Sequence, residues 1–257
     1  MNLIILVSFI IFGCYHKELR NTVTYDKEHN LQADIWLPEE KANSYPVVIT
    51  VHGESWNSGN RASMNSIAKA ITRQGFAVVN ISYRLTPDSL YPSQIEDVKT
   101  LLLYLSENAK VYYLDLTRIN FWGYSAGSQI ATLAALKLSK SYPIKAIING
   151  AGPMDLNLYP DDPVIKEYLG TDSPAKFREA SPINYINQNS PPVFTYHSTN
   201  DQVVNFNNAI LFHHKLNLYN IPNEIHEVPI LGHSMTFLLS KTSVNLAIDF
   251  LKKYNFH

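Results

Sequence analysis

The chain has 257 residues, of which 46% are hydrophobic and 17% charged, and its formal net charge is -1. That composition can bury a substantial core, which excludes a disordered chain, and the balanced charge leaves no basic field for nucleic acid. The single cysteine allows no intramolecular disulfide, so cysteine usage carries no information about compartment.

The N-terminus stands apart. Residues 3–12 are apolar except for Ser8 and lead into Gly13-Cys14. The run is too short for a membrane-spanning helix, which needs about 20 residues, and its length suits the h-region of a secretion signal. Residues 11–14 resemble a bacterial lipobox. Phe12 is bulkier than that pattern favours, and Met1-Asn2 supplies no basic n-region. The expectation is a signal peptide over residues 1–13, lipidation at Cys14, a polar tether over 14–20, and one folded domain over 21–257. Such a protein would be exported and attached to a bacterial membrane through Cys14.

Residues 21–26 and 31–37 read as two strands about a turn, the second with Leu31, Ala33, Ile35 and Leu37 on one side. Residues 46–52 form a β-branched run, the signature of a strand covered on both faces, and end in His52-Gly53-Glu54-Ser55-Trp56. Met64, Ile67, Ala68 and Ile71 then repeat at helical spacing, with Gly75 placed to end the helix. A buried-strand run over 76–82 leads into Tyr83-Arg84-Leu85-Thr86-Pro87. Ser93 and Glu96 have the spacing of a capping box, followed by a helix stripe through Ile95, Val98, Leu101, Leu102 and Leu105.

Residues 117–139 are the stretch around which the rest is organised. An apolar run (Ile119, Phe121, Trp122) stops at Gly123-Tyr124-Ser125-Ala126-Gly127, and a helical stretch apolar nearly all round follows. This is G-x-S-x-G between a strand and a buried helix, the nucleophile-elbow pattern that lifts a serine hydroxyl above a sheet. Beyond it come strands over 144–149, 192–197 and 224–229, a helix near 206–213 and a last helix through Val244, Ala247, Ile248 and Leu251. Residues 155–190, rich in Pro, Asp, Asn and Ser with only fragments of helical pattern, read as a short insertion lying over the sheet. Strands alternating with helices imply an α/β fold with a mostly parallel sheet.

A serine hydroxyl needs a base to take its proton, and the base needs an acid to orient it. In this elbow architecture the order along the chain is Ser, then Asp or Glu, then His. Asp201, just past the 192–197 strand, and His233, after the last strand, meet that order beside Ser125. Asp155 also follows a strand, but it reads better as a cap ordering the insertion. His52 and His197 end strands near the site and are expected to hold loops by hydrogen bonds. His213, His214 and His226 read as packed or solvated side chains. Negative charge on the former carbonyl oxygen calls for backbone N–H donors: one from Ala126, the other from the Gly53-Glu54 loop.

Eight short segments carry a family resemblance: residues 52–56, 83–87, 91–98, 122–127, 181–183, 191–193, 200–204 and 232–234. In this order and spacing the chain resembles the α/β-hydrolase superfamily, within it the esterase branch of hormone-sensitive-lipase-like and BD-FAE-like enzymes. The resemblance implies a single domain with a mostly parallel sheet flanked by helices and a short cap. It implies a serine carboxylester hydrolase that uses no metal or cofactor and acts on a small-molecule ester. Amide-cleaving members exist in the family, and a non-catalytic surface-anchored binding protein is the alternative from another class. One departure is plain: Glu54 stands where the family pattern has its second glycine.

Overall fold

The computed structural model describes residues 19–256. The expected signal segment, Cys14 and all but the end of the tether lie outside the described residues. Eight strands form one sheet: β1 (Leu19–Asp26), β2 (Leu31–Leu37), β3 (Tyr45–Val51), β4 (Ala77–Ile81), β5 (Leu114–Tyr124), β6 (Ile144–Gly150), β7 (Val193–Ser198) and β8 (Asn223–Val228). Their spatial order is β1-β2-β4-β3-β5-β6-β7-β8. The β1–β2 and β2–β4 pairs are antiparallel, and every later pair is parallel. The first strand takes in the last residues of the expected tether. Leu19 pairs with Leu37 and Arg20 with Trp36, and the Arg20 guanidinium lies 5.1 Å from the Trp36 ring centre, so edge pairing and a cation–π contact extend the strand.

The helices are α1 (Asn65–Thr72), α2 (Ser93–Asn108), α3 (Ala126–Leu138), α4 (Pro163–Leu169), α5 (Pro174–Ala180), α6 (Asn207–Leu218), α7 (His233–Leu239) and α8 (Lys241–Asn255). They cover both faces of the sheet, so the strands present alternate residues to two cores. Val47, Ile49 and Val51 enter one core with residues of α2, α3 and α6. Val48, Trp122 and Ile148 enter the other with residues of α1 and α8. The all-round apolarity of α3 has the expected outcome, with every residue from Ala126 to Leu136 buried.

One local expectation fails, and one helix is added. The capping box at Ser93 does not form: Pro92 is the N-cap of α2 and no side chain caps it. Arg84 draws the acidic residues of that turn to itself, its guanidinium 2.6 Å from Asp97 Oδ1 and 3.5 Å from Glu96 Oε2. The short helix α7, which begins at His233, had no sequence signal because Met235, Leu238 and Leu239 are all exposed. The insertion holds α4, α5 and two 3-10 turns rather than a long amphipathic helix.

Candidate active site

The elbow depends on its two glycines. A Cβ on Gly123 would meet the Gly127 carbonyl oxygen at 2.3 Å, and one on Gly127 would meet the His52 carbonyl oxygen at 2.1 Å. Strand, helix and the neighbouring β3 terminus can therefore close up only with hydrogen at both positions. Ser125 itself has φ 53° and ψ -127°, a backbone state that costs an L-residue about 1–3 kcal/mol. It is fixed by Ser125 N–H donating to Gly150 O at 2.8 Å and by Ser128 N–H donating to Ser125 O at 2.9 Å.

Three strand ends bring the sequence-predicted groups together. Asp201 follows β7, His233 opens α7 after β8, and Ser125 follows β5. His233 Nδ1 lies 2.7 Å from Asp201 Oδ2, and His233 Nε2 lies 2.9 Å from Ser125 Oγ. An ionised carboxylate can only accept, so Nδ1 carries the proton and Nε2 accepts from the serine. Asp201 Oδ1 takes the N–H groups of Val203 and Val204, both at 2.9 Å. Burial alone would raise the Asp201 carboxyl, but the hydrogen bonds from His197, His233 and Val204 hold it well below the usual carboxylate range. Asp201 is an anion throughout the physiological range.

The loop after β3 supplies the other side. Gly53 sits against the nucleophile: a Cβ there would lie 2.8 Å from Tyr124 O and 3.3 Å from Ser125 Cβ. Glu54, Ser55 and Trp56 follow with φ of 76°, 57° and 61°. The glycine that the family pattern would place at Glu54 is thus replaced without losing the positive φ it accommodates. Among the described residues, the N–H groups of Gly53, Glu54 and Ala126 have no acceptor. The Glu54 side chain is exposed, and its carboxylate folds back over Gly59, where a Cβ would meet Oε2 at 2.8 Å. Neither nearby arginine takes it, since Arg61 pairs with Asp34 and Arg84 with Asp97.

Several supporting residues went unread as such in the sequence. Tyr83 hydroxyl donates to His52 O at 3.0 Å and to Gly53 O at 3.1 Å, and the His52 ring stacks on Tyr83 at 4.3 Å. Trp56 is buried, stacks on Tyr168 of α4 at 4.5 Å and donates Nε1–H to Gln129 Oε1 at 3.0 Å. Gln129 Nε2 in turn donates to Ala180 O at 2.7 Å, so the loop, α3 and the insertion share one polar-aromatic joint. Tyr124 hydroxyl donates to His233 O at 2.6 Å, tying the histidine loop to the elbow. Burial pushes the Tyr83 and Tyr124 phenols up, so both remain neutral donors. The signal for Tyr83 and Trp56 lay in the motifs 83–87 and 52–56; Tyr124 is the variable residue of the elbow and had none.

The competing residues take the bland roles. Asp155 accepts from Asn157 N–H at 3.0 Å and caps the 3-10 turn that opens the insertion. His213 is buried against Asn223 at 2.7 Å. His52 donates Nδ1–H to Gly53 O at 3.0 Å, and His197 approaches both Val204 O and Asp201.

Among known proteins, the chain is 30% identical to Esterase LipQ of Mycobacterium tuberculosis over 193 residues, which is 66% of this chain and 46% of that protein. It spans about half the length of the curated relatives it matches. A truncated carbohydrate esterase from gut microbiota superposes with TM-score 0.81 at 23% identity, covering 95% of this chain and 98% of that one. Propionate-bound esterase 2 of Thermogutta terrifontis gives TM-score 0.79 at 20% identity, over 91% and 94% of the two chains. At these identities the structural likeness is one of fold. The BD-FAE family model matches residues 33–216, a segment that holds Gly53, Ser125 and Asp201 and stops short of His233. By that match, over most of its length, the chain belongs to the BD-FAE family.

Proposed function

We propose that the protein is a serine hydrolase of carboxylic esters with small or medium acyl groups, acting through an acyl-enzyme on Ser125. The observation that carries this reading is the unbroken chain Ser125 Oγ–His233–Asp201, at 2.9 and 2.7 Å, assembled from three separate strand ends. Ser125 Oγ attacks the ester carbonyl while His233 Nε2 takes its proton. Asp201 stabilises the resulting imidazolium and holds the tautomer. The oxygen that becomes negative is met by the Ala126 N–H and by the N–H groups of Gly53 and Glu54, which have no other acceptor among the described residues. His233 then protonates the leaving alcohol, and water activated by the same imidazole releases the acid.

The acyl preference follows from the insertion. Its helices are seven residues each, and it holds no long amphipathic helix of the kind that lies at an oil surface as a lid. Hydrolysis of p-nitrophenyl esters from acetate to laurate, with Ser125→Ala as control and a fluorophosphonate probe for the activated serine, tests both parts. Rates that rise to laurate with activation on an emulsion would overturn the acyl preference. A wild-type serine that resists the probe would favour a non-catalytic binding protein.

The same reading has residues 1–13 as an export signal and Cys14 as a lipid-modified N-terminus, which would hold the enzyme at a bacterial membrane. Mass spectrometry of native protein should find residues 1–13 missing and a diacylglycerol mass on Cys14; an intact Met1 in a cytosolic fraction would sink this.

A further inference from the structure

His197 is the penultimate residue of β7 and is fully buried. Its Nε2 lies 2.8 Å from Val204 O and 3.2 Å from Asp201 Oδ2. Both neighbours are acceptors, so Nε2 carries the proton, donates it to Val204 O and stands against Asp201 Oδ2 at ion-pair distance, a fork in which the first arm alone has hydrogen-bond geometry. Nδ1 is then unprotonated, and it is buried without a partner. An apolar side chain of the same shape would avoid that orphaned nitrogen, whose burial without a partner is unfavourable, so packing alone does not account for an imidazole here.

The fork completes the environment of the acid. Asp201 has about four lone-pair sites. Two take the Val203 and Val204 N–H groups, one takes His233 and the last takes His197. Two imidazoles thus draw on the same oxygen, and each lessens what that oxygen can give the other. The other titratable groups facing the pair are Tyr124, whose ring centre is 5.3 Å from that of His233, and Tyr159, whose hydroxyl holds the Asn205 N–H of the same loop. Burial keeps both phenols neutral, so among the described residues His197 is the one side chain besides His233 whose N–H stands against the Asp201 carboxylate.

We propose that His197 is a positioning residue: its Nε2–H, turned on the oxygen that His233 also uses, fixes the Asp201 carboxylate toward His233 and takes up part of what that oxygen can give the second imidazole. The proposal rests on the reading of Ser125, His233 and Asp201 as the triad. Without the fork Asp201 would stabilise the His233 imidazolium more strongly, and it would also be free to turn.

The test compares wild type, His197→Phe and His197→Gln on p-nitrophenyl acetate across pH, with thermal unfolding and fluorophosphonate labelling in parallel. Gln can present an amide N–H where Nε2 stands. In His197→Phe the acid limb of kcat/KM should move up by about half a pH unit or more, with kcat lowered about tenfold and KM little changed. His197→Gln should return the limb toward that of wild type whatever its melting temperature. If His197→Phe does not fold, the Gln variant is compared with His197→Asn, whose shorter side chain cannot reach Asp201 and should shift the limb as Phe would. An unmoved limb, or equal shifts in the donor-bearing and donor-lacking variants, overturns the proposal while wild type still labels and turns over. A wild type that neither labels at Ser125 nor cleaves the ester removes the triad reading and this proposal with it.

Discussion

The two halves of the candidate site are built by different means. On the acid–base side, Asp201 and His233 are held by hydrogen bonds to Asp201 from Val203, Val204 and His233 and by His197 Nε2 standing 3.2 Å from the same carboxylate. On the oxyanion side, three successive non-glycine residues, Glu54, Ser55 and Trp56, stand at positive φ, and the N–H groups nearest the nucleophile have no acceptor among the described residues. That loop is held from outside, by Tyr83 on its carbonyls and by Trp56 locked against Tyr168 and Gln129. The contrast follows from what each half must do. A proton relay needs its partners present before substrate arrives, whereas N–H donors meant for a transient negative oxygen must be aimed and left free, and the strain of aiming them is offset by packing elsewhere.

Substitutions can break the two halves separately. The largest effect belongs to the relay: Ser125→Ala, His233→Ala and Asp201→Asn should each lower kcat by about 10⁴-fold or more with the fold intact, while Asp155→Asn keeps near-full rate. Steady-state kinetics beside circular dichroism checks this, and loss at Asp155 with activity kept at Asp201→Asn would reverse the assignment of the acid. Gly53→Ala strikes the other half, because its Cβ would stand 2.8 Å from the Tyr124 carbonyl oxygen. Displacing that donor should cost about 10²–10³-fold in kcat, with the pH profile unchanged because the relay is untouched.

Acid should also separate the halves. Burial lowers the His52 imidazole to about 4, so as pH falls from the unfolded value near 6.5 the unfolded chain takes up a proton that the folded one refuses. Stability should drop through that window by up to about 3 kcal/mol at its lower end. The depressed Asp201 carboxyl works in the same direction but in a lower window: it contributes stability above its unfolded value near 3.9, and that contribution is lost as pH falls below it. Urea unfolding at pH 7 and pH 4.5 should therefore show a loss that His52→Asn, which keeps a donor for Gly53 O, makes smaller; an equal loss in both proteins would clear His52.

The smallest effect is expected at Glu54. Replacing it by glycine removes about 1–3 kcal/mol of positive-φ strain and returns about 0.4–1 kcal/mol through the looser unfolded chain, leaving a gain of about 1 kcal/mol. Removing the carboxylate should also raise kcat/KM several-fold for anionic esters and less for neutral ones. Equal kinetics on both ester types would leave Glu54 a surface substitution.

The relay half was legible in the sequence because each of its parts is local: a G-x-S-x-G between an apolar strand and an apolar helix, then an Asp and a His each just past a strand. The parallel sheet was legible for the same reason, since β-branched runs alternating with 3.6-residue stripes report burial along the chain itself. The order in which β4 lies outside β3, the failed capping box at Ser93 and the added helix α7 were not, because they depend on which distant side chain wins a contact. Arg84 took the acidic residues that a capping box would have used, and no residue between 93 and 97 announces that.

The sequence by itself determined the fold class, singled out the serine, aspartate and histidine that the fold brings into contact, and marked the place where the family pattern breaks at Glu54. Only the tertiary structure decided how that break is tolerated, with φ of 76° kept at a glutamate and its carboxylate folded over Gly59, and that His197 reaches Asp201. A backbone angle at one residue and a fork between two histidines on one oxygen are set by the closure of loops far apart in the chain. Periodicity and spacing register burial and order, and carry no record of the direction in which a side chain points once the loops have met.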